Sequence, residues 1–496
     1  MKLITEGDIN GYYLETLCML FFPRAKFSKT EKITPDTTVV IVKVSTDEHT
    51  AYAEASVTLG RRTVIKYHSE DFSDNEPQKN TKSIAASKAF FFAASEFCGY
   101  TPPWGILTGV RPTKLAFEKI SEGLTKDQTV KALRSEYLLF PRKAVLATDI
   151  ARYESKIIKK YTDKDCSLYI SIPFCPTRCA YCSFISYATK KLLSMIPQYI
   201  EALKIELKNI SELIKRLGMN LSTVYIGGGT PTTPDEPLFE ELLSYIDSVF
   251  DTASLAEYTV EAGRADTITE AKLKSCLDHN VTRISVNPQS LCDEVLKNVS
   301  RMHTTDEFYR AYELAVRSGI PHINTDLIIG LPGDNFEIYS KTIEKIIELD
   351  PDNITAHTLA AKKSSEFTSN NSETAFSGDY ADISKCVDYT QIVTKSAGYL
   401  PYYMYRQKNA AANLENVGFC KKGSEGIYNI LMMEEVHTIF AAGAGAVTKL
   451  TSDKGKRIER IFNPKYPYEY LRADREEEYK KLSDKTAAFF GADIIV

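Results

Sequence analysis

From Leu168 onward the chain repeats one unit six times: a short apolar run, a polar or glycine-rich loop, then a long amphipathic stretch. The runs are LYISIPF, STVYIGGG, EYTVEAG, TRISVNPQS, HINTDLIIGLP and NITAHTLAA, separated by patterns such as IPQYIEALKIELKNISELIKRLG and TTDEFYRAYELAVRSG. Apolar positions three and four apart predict helices, while short β-branched runs predict buried strands. Alternating strands and helices fold as a parallel sheet, because a strand returns parallel to its predecessor only through a crossover long enough to hold a helix. Two architectures satisfy this rule, a barrel or partial barrel and a doubly wound open sheet. Every unusual polar residue falls at or just after the end of a strand, the edge on which parallel α/β sites assemble. That placement favours the barrel, with chemistry at one mouth.

Residues 1–164 read differently. TTVVIVKVSTDEHTAYAEASVTLGRRTVIKYHS alternates β-branched runs with polar turns and predicts a small antiparallel sheet, and TKSIAASKAFFFAASEF predicts a helix. We therefore expect an α+β accessory region over 1–164, a (β/α)6 unit over 165–362, and a C-terminal region over 363–496 that completes the substrate site. Near the start of the last, KKSSEFTSNNSETAFSGDY is polar enough for a surface loop; GYLPYYMYRQKN and IFAAGAGAVTKL follow as an aromatic cluster and a small-residue segment. A net charge of −4 does not favour non-specific binding to nucleic acid. No apolar run reaches the roughly 18 residues of a membrane span, and MKLITEGDINGYY lacks the apolar core of a secretion signal, so the expectation is a soluble cytoplasmic protein without membrane insertion.

Three of the ten cysteines, Cys175, Cys179 and Cys182, crowd into CPTRCAYC after the first repeated strand. The other seven (Cys18, Cys98, Cys166, Cys276, Cys292, Cys386, Cys420) are scattered singly, as small buried hydrophobes are and disulfide frameworks are not. Structural zinc takes four ligands in two spaced pairs, and no second pair accompanies these three. A redox dithiol uses Cys179 and Cys182 and leaves Cys175 unexplained. An iron–sulfur cubane normally takes four thiolates, so three leave one iron open to a substrate or cofactor. Glycines 227–229 let a backbone approach a ligand, Glu261 can accept from hydroxyls, and Arg301 has the fork geometry that pairs a carboxylate. His303, beside Arg301, reads as a plain loop histidine.

CxxxCxxC on the loop after the first strand of a βα unit resembles the signature of the radical S-adenosylmethionine enzymes. With GGGTPT, RISVNPQSL followed by RMHT, and NTDLIIGLPGD, the chain from 165 to about 450 resembles the oxygen-independent coproporphyrinogen III oxidases (dehydrogenases). The amino-terminal region with ILTGVRPTK resembles a long-form branch of that family. The resemblance implies a [4Fe-4S] cluster on Cys175, Cys179 and Cys182, whose open iron chelates S-adenosylmethionine and cleaves it to methionine and a deoxyadenosyl radical. It places Tyr169, Gly228 and Glu261 around that cofactor. Tyr181, Gly229, Thr230, Gln289, Arg301, Asp326 and Ala360 match positions near a second S-adenosylmethionine or the substrate, with Arg301, Gln289 and Asp326 at the reacting centre.

The implied substrate is a tetrapyrrole, coproporphyrinogen III, two of whose propionates become vinyls, with a flavodoxin- or ferredoxin-type electron donor. Two departures from the family pattern pull in opposite directions. Archetypal dehydrogenases carry a further cysteine where this chain has Phe184, and heme chaperones of the same superfamily also lack it. Those chaperones, however, show a C-terminal His-Asn-x-x-Tyr-Trp stretch, which here corresponds to AANLENVGF, with Ala412 in place of the histidine. The alternatives to a dehydrogenase are thus a heme-binding chaperone and a radical enzyme that modifies heme.

Overall fold

A computed structural model of the 496-residue chain describes all residues except 24, 28–32, 73–77, 110, 183–186, 361–379, 408–409 and 492–496. The polar stretch anticipated as a surface loop falls almost wholly outside the described residues. Two compact units result, Met1–Arg152 and Tyr153–Val496.

In the first unit, β1 (Lys2–Glu6), β2 (Val39–Thr46), β3 (Thr50–Leu59) and β4 (Arg62–Asp71) form a sheet in the order β1-β2-β3-β4. The predicted strands β2, β3 and β4 pair antiparallel, and β1 joins β2 in parallel, an addition that its five residues did not announce. Period-two alternation buries Val40, Val42, Ala51, Ala53, Ala55 and Val57 on one face. The predicted helix, Gln78–Cys98, presents Ala85, Ala86, Ala89 and Ala93 to the same core. Small residues let helix and sheet approach, and Phe90 and Phe91, each edge-on to Phe21 at 5.7 and 5.6 Å, fill the remaining volume.

The six repeated runs of the second unit are β5 (Asp165–Ile172), β6 (Asn220–Gly228), β7 (Glu257–Val260), β8 (Arg283–Ser285), β9 (His322–Ile329) and β10 (Asn353–Thr358). They pair in parallel and in sequential spatial order, without the reversal that defines a doubly wound sheet. The six parallel strands in sequential order are the α/β arrangement that the expected partial barrel requires. The crossover helices begin where caps dictate: the side chains of Asp235, Thr269, Thr304 and Asn335 each accept from a backbone N–H of the first turn. Glu307 answers Thr304 in a capping box.

The sheet does not end with these six. β11 (Leu400–Arg406) and β12 (Glu415–Cys420) extend it antiparallel beyond β10. On the other side β13 (Thr438–Ala442) adds to β5 in parallel, followed by antiparallel β14 (Val447–Ser452) and β15 (Arg457–Phe462). The result is an open, mixed sheet of eleven strands among the described residues. The aromatic stretch becomes β11 and the small-residue segment becomes β13. The carboxyl ends of β5 to β10 remain one continuous edge, and the candidate residues lie along it.

Candidate functional site

The three cysteines occupy the loop after β5. Its neck is closed by the Cys175 N–H donating to the Tyr187 carbonyl at 3.1 Å and the Tyr187 N–H to the Pro173 carbonyl at 2.9 Å. The Ala180 N–H donates to the Val299 carbonyl at 2.9 Å, fixing the middle of the loop, and the Cys182 N–H donates to the Cys179 carbonyl at 3.0 Å. Cys175 and Cys179 are buried, Cys182 is half-buried, and none of the three is in a disulfide. Thr230 Oγ1 lies 3.3 Å from Cys175 Sγ.

Among the described residues no three His, Cys, Asp or Glu side chains converge as the ligands of a single ion would. A four-iron cluster requires something else, since each thiolate takes its own iron. Three thiols on one pinned loop fit that pattern. Arg264 and Arg301 add two buried guanidiniums, each with an Nη1 within 4 Å of Cys179 Sγ.

The glycines after β6 are explained by approach distance. Gly228 has φ +109°, and the Gly229 N–H donates to the Ile172 carbonyl at 2.8 Å. A Cβ on Gly229 would lie 2.6 Å from the Phe174 carbonyl oxygen, inside the cysteine loop. The glycine segment therefore sets where the first thiol sits. Gly229→Ala is expected to displace that loop at a cost of about 1–3 kcal/mol of overpacking. Iron content after anaerobic reconstitution, measured beside a thermal melt, checks this.

Glu261 follows β7, and Tyr225 of β6 donates its hydroxyl to the Glu261 carboxylate. Burial pushes the Glu261 carboxyl up to about 7 and nearby Asp326 adds to the rise, while Tyr225, the Gly228 N–H and His357 pull it back. Tyr169 reaches this group through its ring, stacked 6.2 Å from Tyr225, which in turn stacks 4.5 Å from Tyr428. Burial also pushes the Tyr169 phenol up, so it stays neutral.

Arg301 follows the short helix Asp293–Asn298 and is buried rather than exposed on its loop. Its Nη2 donates to the carbonyls of Gly263 (2.5 Å) and Asn287 (2.6 Å), and its Nη1 to the Tyr181 hydroxyl (3.1 Å). The side chain thus ties the strand ends of β7 and β8 to the cysteine loop. Asp326 of β9 accepts from Asn287 (2.9 Å) and Asn324 (2.8 Å) and lies 3.8 Å from His357 Nε2. Burial alone would raise its carboxyl, but His357, Asn324 and Thr355 outweigh burial and hold it below the usual range. Gln289, at φ +67°, donates its N–H to the Asp326 carbonyl at 3.1 Å. Ala360 forms an isolated bridge with Ala410.

Two linked groups emerge: Cys179, Tyr181, Arg301 and Asn287 in one, and Asp326, Asn287 and Gln289 in the other, sharing Asn287. Glu261, Tyr225 and Tyr169 form a third. Several buried polar atoms along the edge have no protein partner, among them Gln289 Oε1, Arg301 Nε and Thr177 Oγ1. Buried polar groups are normally satisfied, so these unmet atoms fit a bound polar cofactor. His303 lies in a loop, as expected, but is buried there. It is 3% exposed, and neither ring nitrogen has a partner. Burial, with Arg301 beside it, lowers it to about 4.

Sequence reasoning passed over Arg264, Asn287, His357 and Tyr405. Asn287 stood inside the quoted run TRISVNPQS, next to the proline that ends it. His357 points its Nδ1 to the Tyr405 hydroxyl at 3.1 Å, a pairing between β10 and β11 that no spacing in the sequence foretells. Phe184 lies outside the described residues. Ala412 lies in a tight turn with φ +54°.

Residues 169–346 match the model of the Radical SAM superfamily. The chain is 38% identical over 473 residues to the oxygen-independent coproporphyrinogen-III oxidase-like protein HemZ of Bacillus subtilis, covering 94% of this chain and 93% of that protein. It is 30% identical over 331 residues to the heme chaperone HemW of Escherichia coli, covering 65% of this chain and 81% of the chaperone. In structure it is similar to the coproporphyrinogen III oxidase HemN of Escherichia coli, with a TM-score of 0.52 at 20% identity over 66% of this chain and 73% of that one.

Proposed function

We propose, from the premise that this chain belongs to the Radical SAM superfamily and within it to the oxygen-independent coproporphyrinogen-III-oxidase-like family, that it is a coproporphyrinogen III dehydrogenase. The reaction would convert two propionates of the tetrapyrrole to vinyls, each losing a hydrogen, carbon dioxide and an electron. A four-iron cluster with S-adenosylmethionine, the cofactors of this family, supplies the hydrogen-abstracting radical when bound. Cys175, Cys179 and Cys182 would hold the cluster. Glu261 would accept from ribose hydroxyls, beside Gly228 and the Tyr169 ring. Arg301, Tyr181, Gln289, Asp326, Gly229, Thr230 and Ala360 would line the place of a second S-adenosylmethionine or of the substrate. The electron donor would be of flavodoxin or ferredoxin type.

The supporting observation is the extent of the likeness to the oxidase-like relative, which includes the accessory unit. Among the described residues no helix is long and apolar enough to cross a membrane. The test is anaerobic incubation of reconstituted protein with dithionite, S-adenosylmethionine and coproporphyrinogen III. A vinyl-bearing product is expected. Deoxyadenosine released without such a product, or stable heme binding followed by transfer to an apo-protein, would assign the chain to another tetrapyrrole or to the chaperones.

Glu261 gives this reading a pH dependence. With its carboxyl raised to about 7, the group is largely protonated at pH 6 and ionised at pH 8. Only the carboxylate accepts from two hydroxyls, so S-adenosylmethionine is expected to bind about tenfold more weakly at pH 6 than at pH 8. Equilibrium dialysis measures it, and Glu261→Gln should flatten the profile. The same raised value makes the carboxyl's contribution to stability complete below its ordinary range, near pH 4.5, and lost as pH rises through 7.

A further inference from the structure

Arg264 has no part in the proposed function, yet the residue is 3% exposed and its guanidinium reaches a proposed cluster ligand. Nε and Nη2 form a two-pronged pair with Asp266, at 2.9 and 2.8 Å to its two carboxylate oxygens. That fork fixes the plane of the guanidinium and leaves Nη1 directed away from the pair. Nη1 donates to the Thr177 carbonyl at 3.2 Å and to Cys179 Sγ at 3.8 Å. Thr177 and Cys179 belong to the same loop, so a single N–H group reads both its backbone and its sulfur. From the opposite element Arg301 brings Nη1 to 3.9 Å of the same sulfur. Arg264 lies four residues beyond β7 and Arg301 follows β8, so two separate strand ends supply the two guanidiniums.

We infer that Arg264, held by Asp266, is a positioning residue for the iron–sulfur cluster that sets its reduction potential through an N–H···S bond to Cys179. The physical basis is charge. One-electron reduction by an external donor adds a negative charge to the cluster, and hydrogen bonds to its sulfurs and a nearby cation stabilise the reduced form more than the oxidised one. Removing the cation therefore lowers the potential. Asp266 keeps the guanidinium in place, and its own charge lies on the far side of the fork from the sulfur.

The inference rests on the cluster and not on the identity of the tetrapyrrole, so its test uses neither substrate nor turnover. Reconstituted protein is titrated with dithionite and mediators and followed by electron paramagnetic resonance. Arg264→Gln is expected to make reduction about tenfold less favourable, a shift of ~59 mV to more negative potential for one electron. Arg264→Lys, which keeps the charge but loses the fork, is expected to shift less. Arg264→Gln should also release iron faster to a chelator. A fully loaded Arg264→Gln protein with the wild-type potential overturns the inference, even where its melting temperature has fallen. Should that variant not hold a cluster, Arg264→Met, which removes the same charge, decides: it is expected to lower the potential, and an unmoved value overturns the inference. Absence of a four-iron signal in the wild-type protein would instead overturn the cofactor reading itself.

Discussion

Cys179→Ala is expected to abolish the four-iron signal and all reductive cleavage of S-adenosylmethionine while leaving the fold in place. In the proposed ligand set each thiolate would hold one iron, so removing one of three would leave a cluster with two protein ligands and two open irons. The fold is expected to survive because the backbone bonds that pin the loop do not involve this sulfur. The Ala180 N–H still donates to the Val299 carbonyl, and the neck between Cys175 and Tyr187 is untouched. The lost packing of a small, buried side chain costs on the order of 1 kcal/mol. The measurement is iron content, the electron paramagnetic resonance signal and deoxyadenosine release, read beside a circular dichroism melt. A variant that retains a wild-type signal would remove the cysteine from the ligand set. A variant that unfolds would show that the loop needs the sulfur for packing.

Arg301→Ala is expected to damage stability and function together. The guanidinium is the donor to the carbonyls of Gly263 and Asn287 and to the Tyr181 hydroxyl, all at the sheet edge. Truncation leaves these acceptors without it in a buried place, at about 1–3 kcal/mol for each one that water does not reach. A fall of about 3–5 kcal/mol in unfolding free energy by denaturant titration is the expected result. Lysine should recover little, because one ammonium cannot span the carbonyls of two different strand ends. Arg301→Lys that is fully active would show the charge alone matters. Arg301→Ala with wild-type stability would mean that water replaces every bond.

The carboxylate-clamp role anticipated for Arg301 from its chemistry meets a structural fact that the sequence does not carry. Its Nη2 is committed to two main-chain carbonyls, and Nε is the nitrogen without a partner. Gln289 shows the reverse. Its position near the end of the fourth repeated run is legible, and the structure adds that its backbone is held at φ +67° with Oε1 unmet. His303 lies in a loop, as its sequence position indicates, but loop position says nothing of burial, and here burial lowers the basicity of the ring.

The six-fold alternation of strand and helix, the thiol spacing and the glycine run were readable in the chain itself, because they rest on local rules. Hydrophobic period fixes element type, cap residues fix helix starts, and eight residues suffice to hold three thiols on one loop. Which strands lie side by side is not local. β13 joins β5 across more than 260 residues of sequence, and β10 receives β12 on its free side. Arg264 and Arg301 meet at one sulfur only because separate crossovers return their strands to the same edge. Such meetings depend on the whole sheet closing its hydrogen bonds and burying both faces of its core, and tertiary packing alone could bring two distant guanidiniums within 4 Å of Cys179.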